Sequence, residues 1–146
     1  MESSIDSGSA HVKYGHKSYP SKVDLVCNSC NSILTAKSNT DNDVYLDISL
    51  HQKDWKLQCS KCTFRQETDW DGLKQFKLWY KGDILSQEVW AWNKKHLDLI
   101  IKVIKKENVS HHPLKHFATY LPGTWLSKLN TPRAIKKLEA LKEKLL

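Results

Sequence analysis

Apolar and polar residues alternate with period two from Val44 to Leu50. Val44, Leu46, Ile48 and Leu50 fall on one face; Tyr45, Asp47 and Ser49 fall on the other. That pattern predicts a strand with one buried face. Trp55 and Leu57 resume it in a returning strand beyond a turn at His51-Gln52-Lys53-Asp54, and Thr63 to Thr68 alternates again. Val23–Val26 and Ile33–Ala36 read as two more short strands. Ser38–Asp43 is a polar turn whose side chains hydrogen-bond local backbone. Phe76–Tyr80 reads as one more strand before Lys81-Gly82-Asp83. The period then changes: Leu97, Ile100, Ile101 and Ile104 recur at helical spacing, with Ser86 or Asn93 as the cap and an end near Asn108. Pro113, Pro122 and Gly123 interrupt residues 109–130, which are irregular apart from a helical turn at Lys115–Tyr120. Thr131-Pro132 sets a capping hydroxyl before a proline at the first helical position. Ala134, Leu138, Leu141 and Leu145 form the apolar stripe of that last helix. Residues 1–20 lack apolar periodicity and predict a flexible tail.

The strands deliver two short motifs, Cys27-Asn28-Ser29-Cys30 and Cys59-Ser60-Lys61-Cys62. In each, two thiols stand two residues apart, so one tight turn presents both sulfurs to one ion. All four cysteines of the chain fall into this spacing. Zn²⁺ favours four-coordinate tetrahedral sites with Zn–S bonds of about 2.3 Å, so Cys27, Cys30, Cys59 and Cys62 make a complete shell for one structural ion. No position is left for a substrate or an activated water. Iron would accept the same ligands, and the spacing does not choose between the two metals. Four unrelated thiols, or two disulfides in a secreted protein, are the competing readings. A thioredoxin-like pair is disfavoured, because there are two copies and neither lies at a strand-to-helix junction.

Paired turns of this kind at the tips of β-hairpins resemble the zinc ribbon over residues 23–68. The resemblance implies a small antiparallel sheet closed at one end by metal. Asn31 and Thr63 stand where the commonest ribbon pattern has glycine after the second cysteine of each pair; Asn tolerates positive φ and Thr does not, so the second turn is expected to be the less regular. Val89-Trp90-Ala91-Trp92-Asn93-Lys94-Lys95-His96-Leu97, Leu121-Pro122-Gly123-Thr124-Trp125 and Ala134–Leu138 are similar to segments of a group of small bacterial zinc-ribbon proteins. Some of those bear names borrowed from the zinc-binding part of a replication-restart helicase. That resemblance implies an architecture rather than an activity. The expected fold is α+β: a small antiparallel zinc-ribbon sheet packed with two C-terminal helices. Its parts would be a tail at 1–20, a ribbon domain at 21–85 and a basic helical region at 86–146.

Charge adds a candidate partner. The net charge is +7, yet residues 1–85 hold 11 Lys+Arg against 11 Asp+Glu, while residues 86–146 hold 12 against 5. A basic surface draws polyanions, which makes nucleic acid (DNA or RNA) the first partner to consider. Lys94, Lys95, Lys102, Lys105, Lys106, Arg133, Lys136 and Lys137 would neutralise phosphates, while Arg65 or an exposed tryptophan meets bases. The alternative is a protein adaptor or inhibitor module in which the ribbon is purely structural and the charge incidental. The 146-residue chain has no apolar run near the ~20 residues that cross a bilayer, so no membrane role is expected. Met1–Ala10 has neither a basic n-region nor an apolar h-region, which predicts no secretory signal. With reduced thiols this points to the cytoplasm.

Other candidates are weaker. His96 suits packing, or a bond to the preceding loop, better than phosphate contact. His111, His112 and His116 include an i, i+4 pair, but Pro113 interrupts the helix that a metal pair would need. The six tryptophans suit a core better than base stacking. Asp41, Asp43 and Asp47 lie in a turn and on a solvent-facing strand position rather than in a nuclease site. No phosphate-cradling glycine loop, nucleophile elbow or H-E-x-x-H motif occurs. The expectation is therefore a binding protein, with no small-molecule substrate and no catalytic residues.

Overall fold

A computed structural model describes residues 18–39, 44–46 and 54–143. It is mixed α+β, with strands β1 (Ser18–Pro20), β2 (Lys22–Val26), β3 (Ile33–Lys37), β4 (Val44–Leu46), β5 (Trp55–Cys59), β6 (Arg65–Thr68), β7 (Tyr80–Ile84) and β8 (Gln87–Ala91). The helices are α1 (Lys94–Ile104), α2 (Gly123–Lys128) and α3 (Pro132–Lys142), with 3-10 turns at Asp71–Gln75 and Lys115–Tyr120. Two compact units divide the chain between Trp79 and Tyr80.

The first unit is built on an antiparallel sheet of order β2-β3-β5-β6. Period two sorts its side chains. Val23, Leu25, Leu34, Ala36, Trp55 and Leu57 are buried, whereas Lys22, Lys37, Lys56 and Gln58 are exposed. Trp70, at the start of the first 3-10 turn, meets Trp55 with ring centroids 5.3 Å apart. Phe76, just after that turn, meets Phe64 at 6.1 Å. The strand expected at Phe76–Tyr80 is reduced to one bridge, Leu78 opposite Leu25. It is held by Val26 N–H to Lys77 O and Trp79 N–H to Asp24 O, both 2.8 Å. Two pairings differ from expectation. Ser18–Pro20, placed in the tail by its composition, is a strand paired with β4, and β5 returns against β3 rather than β4. The remainder of the expected tail, the polar turn at 40–43 and residues 47–53 lie outside the described residues.

The second unit opens on the β7–β8 hairpin. Its two-residue turn, Leu85-Ser86, has φ of 49° and 69°, the doubly positive geometry that matches strand twist. This settles the helix start: Val89, Trp90 and Ala91 are strand, and Asn93 is the cap of α1, its side chain accepting the His96 N–H at 2.8 Å. At the other end Lys106 takes φ 63°. Glu107 N–H reaches Lys102 O at 2.9 Å and Lys106 N–H reaches Val103 O at 3.0 Å, so the last carbonyls are satisfied by a left-handed closing residue. Thr131 caps α3 as expected, accepting from Ala134 N–H at 3.2 Å. Of the α3 stripe, Ala134 and Leu138 are buried and Leu141 half-buried; Leu145 lies outside the described residues. Asp98 of α1 joins Lys142 of α3 at 3.3 Å, and Lys94 joins Glu143 at 3.6 Å.

Trp90, Trp92, His96, Phe117 and Trp125 form an aromatic cluster at the centre of this unit. Trp92 stacks on His96 with centroids 4.6 Å apart and meets Phe117 edge-on at 5.0 Å; Trp90 meets Trp125 at 6.0 Å. All six tryptophans of the chain are buried.

Candidate metal centre

Sheet register brings the two cysteine turns together. Cys27 follows β2, Cys30 lies in the turn leading to β3, Cys59 closes β5, and Cys62 precedes β6. Since β3 pairs with both β2 and β5, the two turns emerge at the same end of the sheet. Each is closed by the same backbone bond: Cys27 N–H to Ser32 O at 2.8 Å, and Cys59 N–H to Phe64 O at 3.1 Å. Ser60 ties one turn to the other, its N–H reaching Ile33 O at 3.1 Å.

The four sulfurs lie within 4.8 Å of one another. Cys27 Sγ is 3.8 Å from Cys62 Sγ, and Cys30 Sγ is 3.4 Å from Cys59 Sγ. A tetrahedron with metal–sulfur bonds of about 2.3 Å has edges of about 3.8 Å. The spacing therefore suits one ion at the centre. It is too long for disulfides, whose sulfurs sit about 2.05 Å apart, and all four thiols are free.

Backbone donors point inward as well. Lys61 N–H and Cys62 N–H approach Cys59 Sγ at 3.3 and 3.4 Å, and Phe64 N–H approaches Cys62 Sγ at 3.5 Å. The Lys61 amide, helped by that of Cys62, holds the Cys59 thiol down to about 6. Cys62 receives the Phe64 amide, but burial and the neighbouring sulfurs push it up to about 12. Amides aimed at sulfur stabilise thiolates, the form that binds metal. The first turn instead uses Asn31 at φ 65°, with its N–H on Cys27 O at 2.9 Å. Thr63 is absent from the positive-φ positions, so the second turn closes without the strain a β-branched residue would carry there.

No family model, curated protein or solved structure matches this chain. The metal centre therefore stands on its own geometry.

The remaining expected site residues are dispersed. Arg65 is exposed on β6 of the first unit; Lys94, Lys95, Lys105, Lys106, Arg133, Lys136 and Lys137 are exposed in the second, with Lys102 half-buried. Lys94 is engaged by Glu143, and Lys105 by Glu107 at 3.1 Å. No exposed tryptophan exists to meet bases, because each one is part of a core. His96 also packs. Its Nδ1 accepts the Trp92 N–H at 3.1 Å, which leaves the hydrogen on Nε2, a fully buried atom with no partner among the described residues. His111 is exposed. His112 Nδ1 accepts the Leu114 N–H at 3.0 Å, and its Nε2 lies 3.3 Å from Asp98. The side chain of His116 and Asp41, Asp43 and Asp47 lie outside the described residues. Among those described, the four cysteines are the one group placed to hold a metal. Spacing identified those ligands, but the three inward amides belong to the backbone and carry no residue-type signal.

Proposed function

We propose that the tetrathiolate holds one structural Zn²⁺ in a zinc-ribbon-like sheet, and that the chain is a non-catalytic binding protein whose partner is nucleic acid. Four thiolates complete the coordination of a tetrahedral ion and leave no open position for chemistry. The observation that carries the partner assignment is charge placement. Residues 86–146 hold 12 Lys+Arg against 5 Asp+Glu, and Lys95, Lys106, Arg133, Lys136 and Lys137 stand exposed on or beside α1 and α3. Cations so displayed release counterions from a phosphate backbone. Metal-binding thiols suit the reducing cytoplasm. Among the described residues, no helix is long and apolar enough to cross a membrane.

A gel shift of the metal-loaded protein with DNA and RNA, single- and double-stranded, tests this reading. Retardation that weakens steeply with salt is expected. No retardation of any of the four at low ionic strength rejects it, and a partner captured after nuclease treatment that survives moderate salt favours a protein adaptor instead.

A further inference from the structure

The outward face of the cysteine-bearing sheet carries a second basic surface, which no motif announces. Register places Lys22 of β2 opposite Lys37 of β3, and Lys37 opposite Lys56 of β5. Three lysines thus stand side by side across three strands, with Glu67 of β6 next in the row, opposite Lys56. In the next row on the same face, Gln58 stands opposite Thr35 on one side and Arg65 on the other. These residues line an open concavity of about 810 Å³, in which Glu67 is the sole carboxylate. Asp24, the other acid of this face, is buried and lies 3.5 Å from the Thr35 hydroxyl. Lys37, Lys56 and Arg65 make no ion pair among the described residues. In the second unit, by contrast, Lys94, Lys105 and Lys142 are held by carboxylates.

Like charges directly opposite one another destabilise a sheet. Glu67 opposite Lys56 and the buried Asp24 beside Lys22 and Lys37 offset part of that repulsion, yet the four cations of the face still outnumber its two acids. A polyanion lying across the face turns that repulsion into attraction.

We propose that this face grips the phosphodiester backbone of duplex nucleic acid through Lys22, Lys37, Lys56 and Arg65. The inference rests on the nucleic-acid reading above and adds a contact surface in the first unit. Neighbouring strands are about 4.8 Å apart, so the lysine row spans about 10 Å, roughly the axial length of three phosphates on one strand of B-DNA. The duplex is chosen over the single strand because no aromatic ring lines the concavity and every tryptophan is buried. Binding of unpaired strands draws on stacking platforms, whereas backbone contact alone positions a protein on a duplex without reading its sequence.

Fluorescence anisotropy of the metal-loaded full chain tests the assignment, with a labelled mixed-sequence duplex and its unpaired strand titrated between low and physiological salt. Two triple variants are compared with wild type: Lys37→Gln/Lys56→Gln/Arg65→Gln on the sheet and Arg133→Gln/Lys136→Gln/Lys137→Gln on α3. The sheet variant should bind at least tenfold more weakly at low salt, with a salt slope shallower by about 0.9 for each phosphate it no longer neutralises. Its melting transition should stay cooperative, so weaker binding is not ascribed to unfolding. A sheet variant with wild-type affinity and slope, beside an α3 variant that loses binding, overturns this inference and leaves the function intact. Wild type that binds neither probe removes the function itself. Preference for the unpaired strand, or displacement of duplex by polyglutamate at equal charge, overturns the assignment to a duplex backbone.

Discussion

Lowering the pH from 7 to 5 should weaken the second unit through one side chain, His96. The ring is fully buried, stacked on Trp92 and fixed by the Trp92 amide on Nδ1. Burial, and to a lesser extent the nearby His112, pushes its pKa from 6.5 down to about 3. Above pH 6.5 neither the folded nor the unfolded chain protonates this imidazole. Below it the unfolded chain takes up a proton that the folded chain refuses, so stability falls until about pH 3, where the folded form protonates too. At 1.36 kcal/mol per pKa unit the whole shift corresponds to about 5 kcal/mol, of which about 2 kcal/mol is lost between pH 7 and 5. Titrating carboxylates, and any metal released as thiolates protonate, affect a variant and wild type alike. Urea titrations followed by tryptophan fluorescence at both pH values, on wild type and His96→Gln, isolate the effect. Gln keeps a hydrogen-bond acceptor but does not titrate. Wild type should lose about 2 kcal/mol more than the variant between the two pH values. Equal losses would refute the idea that a buried neutral imidazole sets this pH dependence.

Three further substitutions probe local geometry. Asn93→Ala removes the acceptor for the His96 N–H at 2.8 Å and should cost about 1 kcal/mol in thermal or denaturant melts; an unchanged midpoint would show that the cap contributes nothing. At Asn31, where φ is 65°, a valine should cost about 1–2 kcal/mol while a glycine is tolerated, and equal melting of the two would contradict the turn geometry. Lys37→Gln should push the Asp24 carboxyl further up, since burial raises it and Lys22 and Lys37 draw it down; an NMR titration of Asp24 unmoved by the substitution would show that Lys37 does not act on this acid.

What the sequence reveals of this fold depends on whether the signal is local. Short apolar runs mark the strands at Val23–Val26 and Ile33–Ala36, period two marks the one around Leu57, and cysteine spacing marks the four thiols that the fold gathers, because all are short-range properties of the chain. Thr131-Pro132 announces α3 for the same reason, and Asn93 is one of two caps in view. The β7–β8 hairpin is hidden because Leu85 and Ser86 occupy positive-φ positions usually signalled by Asn or Gly. Without that signal Val89–Ala91 also suits the start of a helix. The short α2 follows Pro122 and includes Gly123, residues that read as breakers. Pairing partners lie beyond any local pattern: nothing near Ser18 indicates β4, and nothing near Trp55 indicates β3. The lysine row is visible only once three strands are in register. Nor does tryptophan content reveal burial: a tryptophan surface for bases is compatible with the sequence, whereas the fold buries all six.

The proposed function requires one metal ion held by the four cysteines that the two turns of the first unit bring within 4.8 Å of one another. Elemental analysis of protein purified under reducing conditions, combined with thiol titration before and after chelation, measures it directly. One ion per chain is expected, with four thiols that resist modification until the chelator removes the metal. The first unit's melting transition should collapse on removal, because binding energy here is folding energy. Cys59→Ser should abolish both the stoichiometric metal and that transition. A folded, metal-free protein with four freely reactive thiols, or a Cys59→Ser chain that keeps its metal and its melting curve, would contradict it.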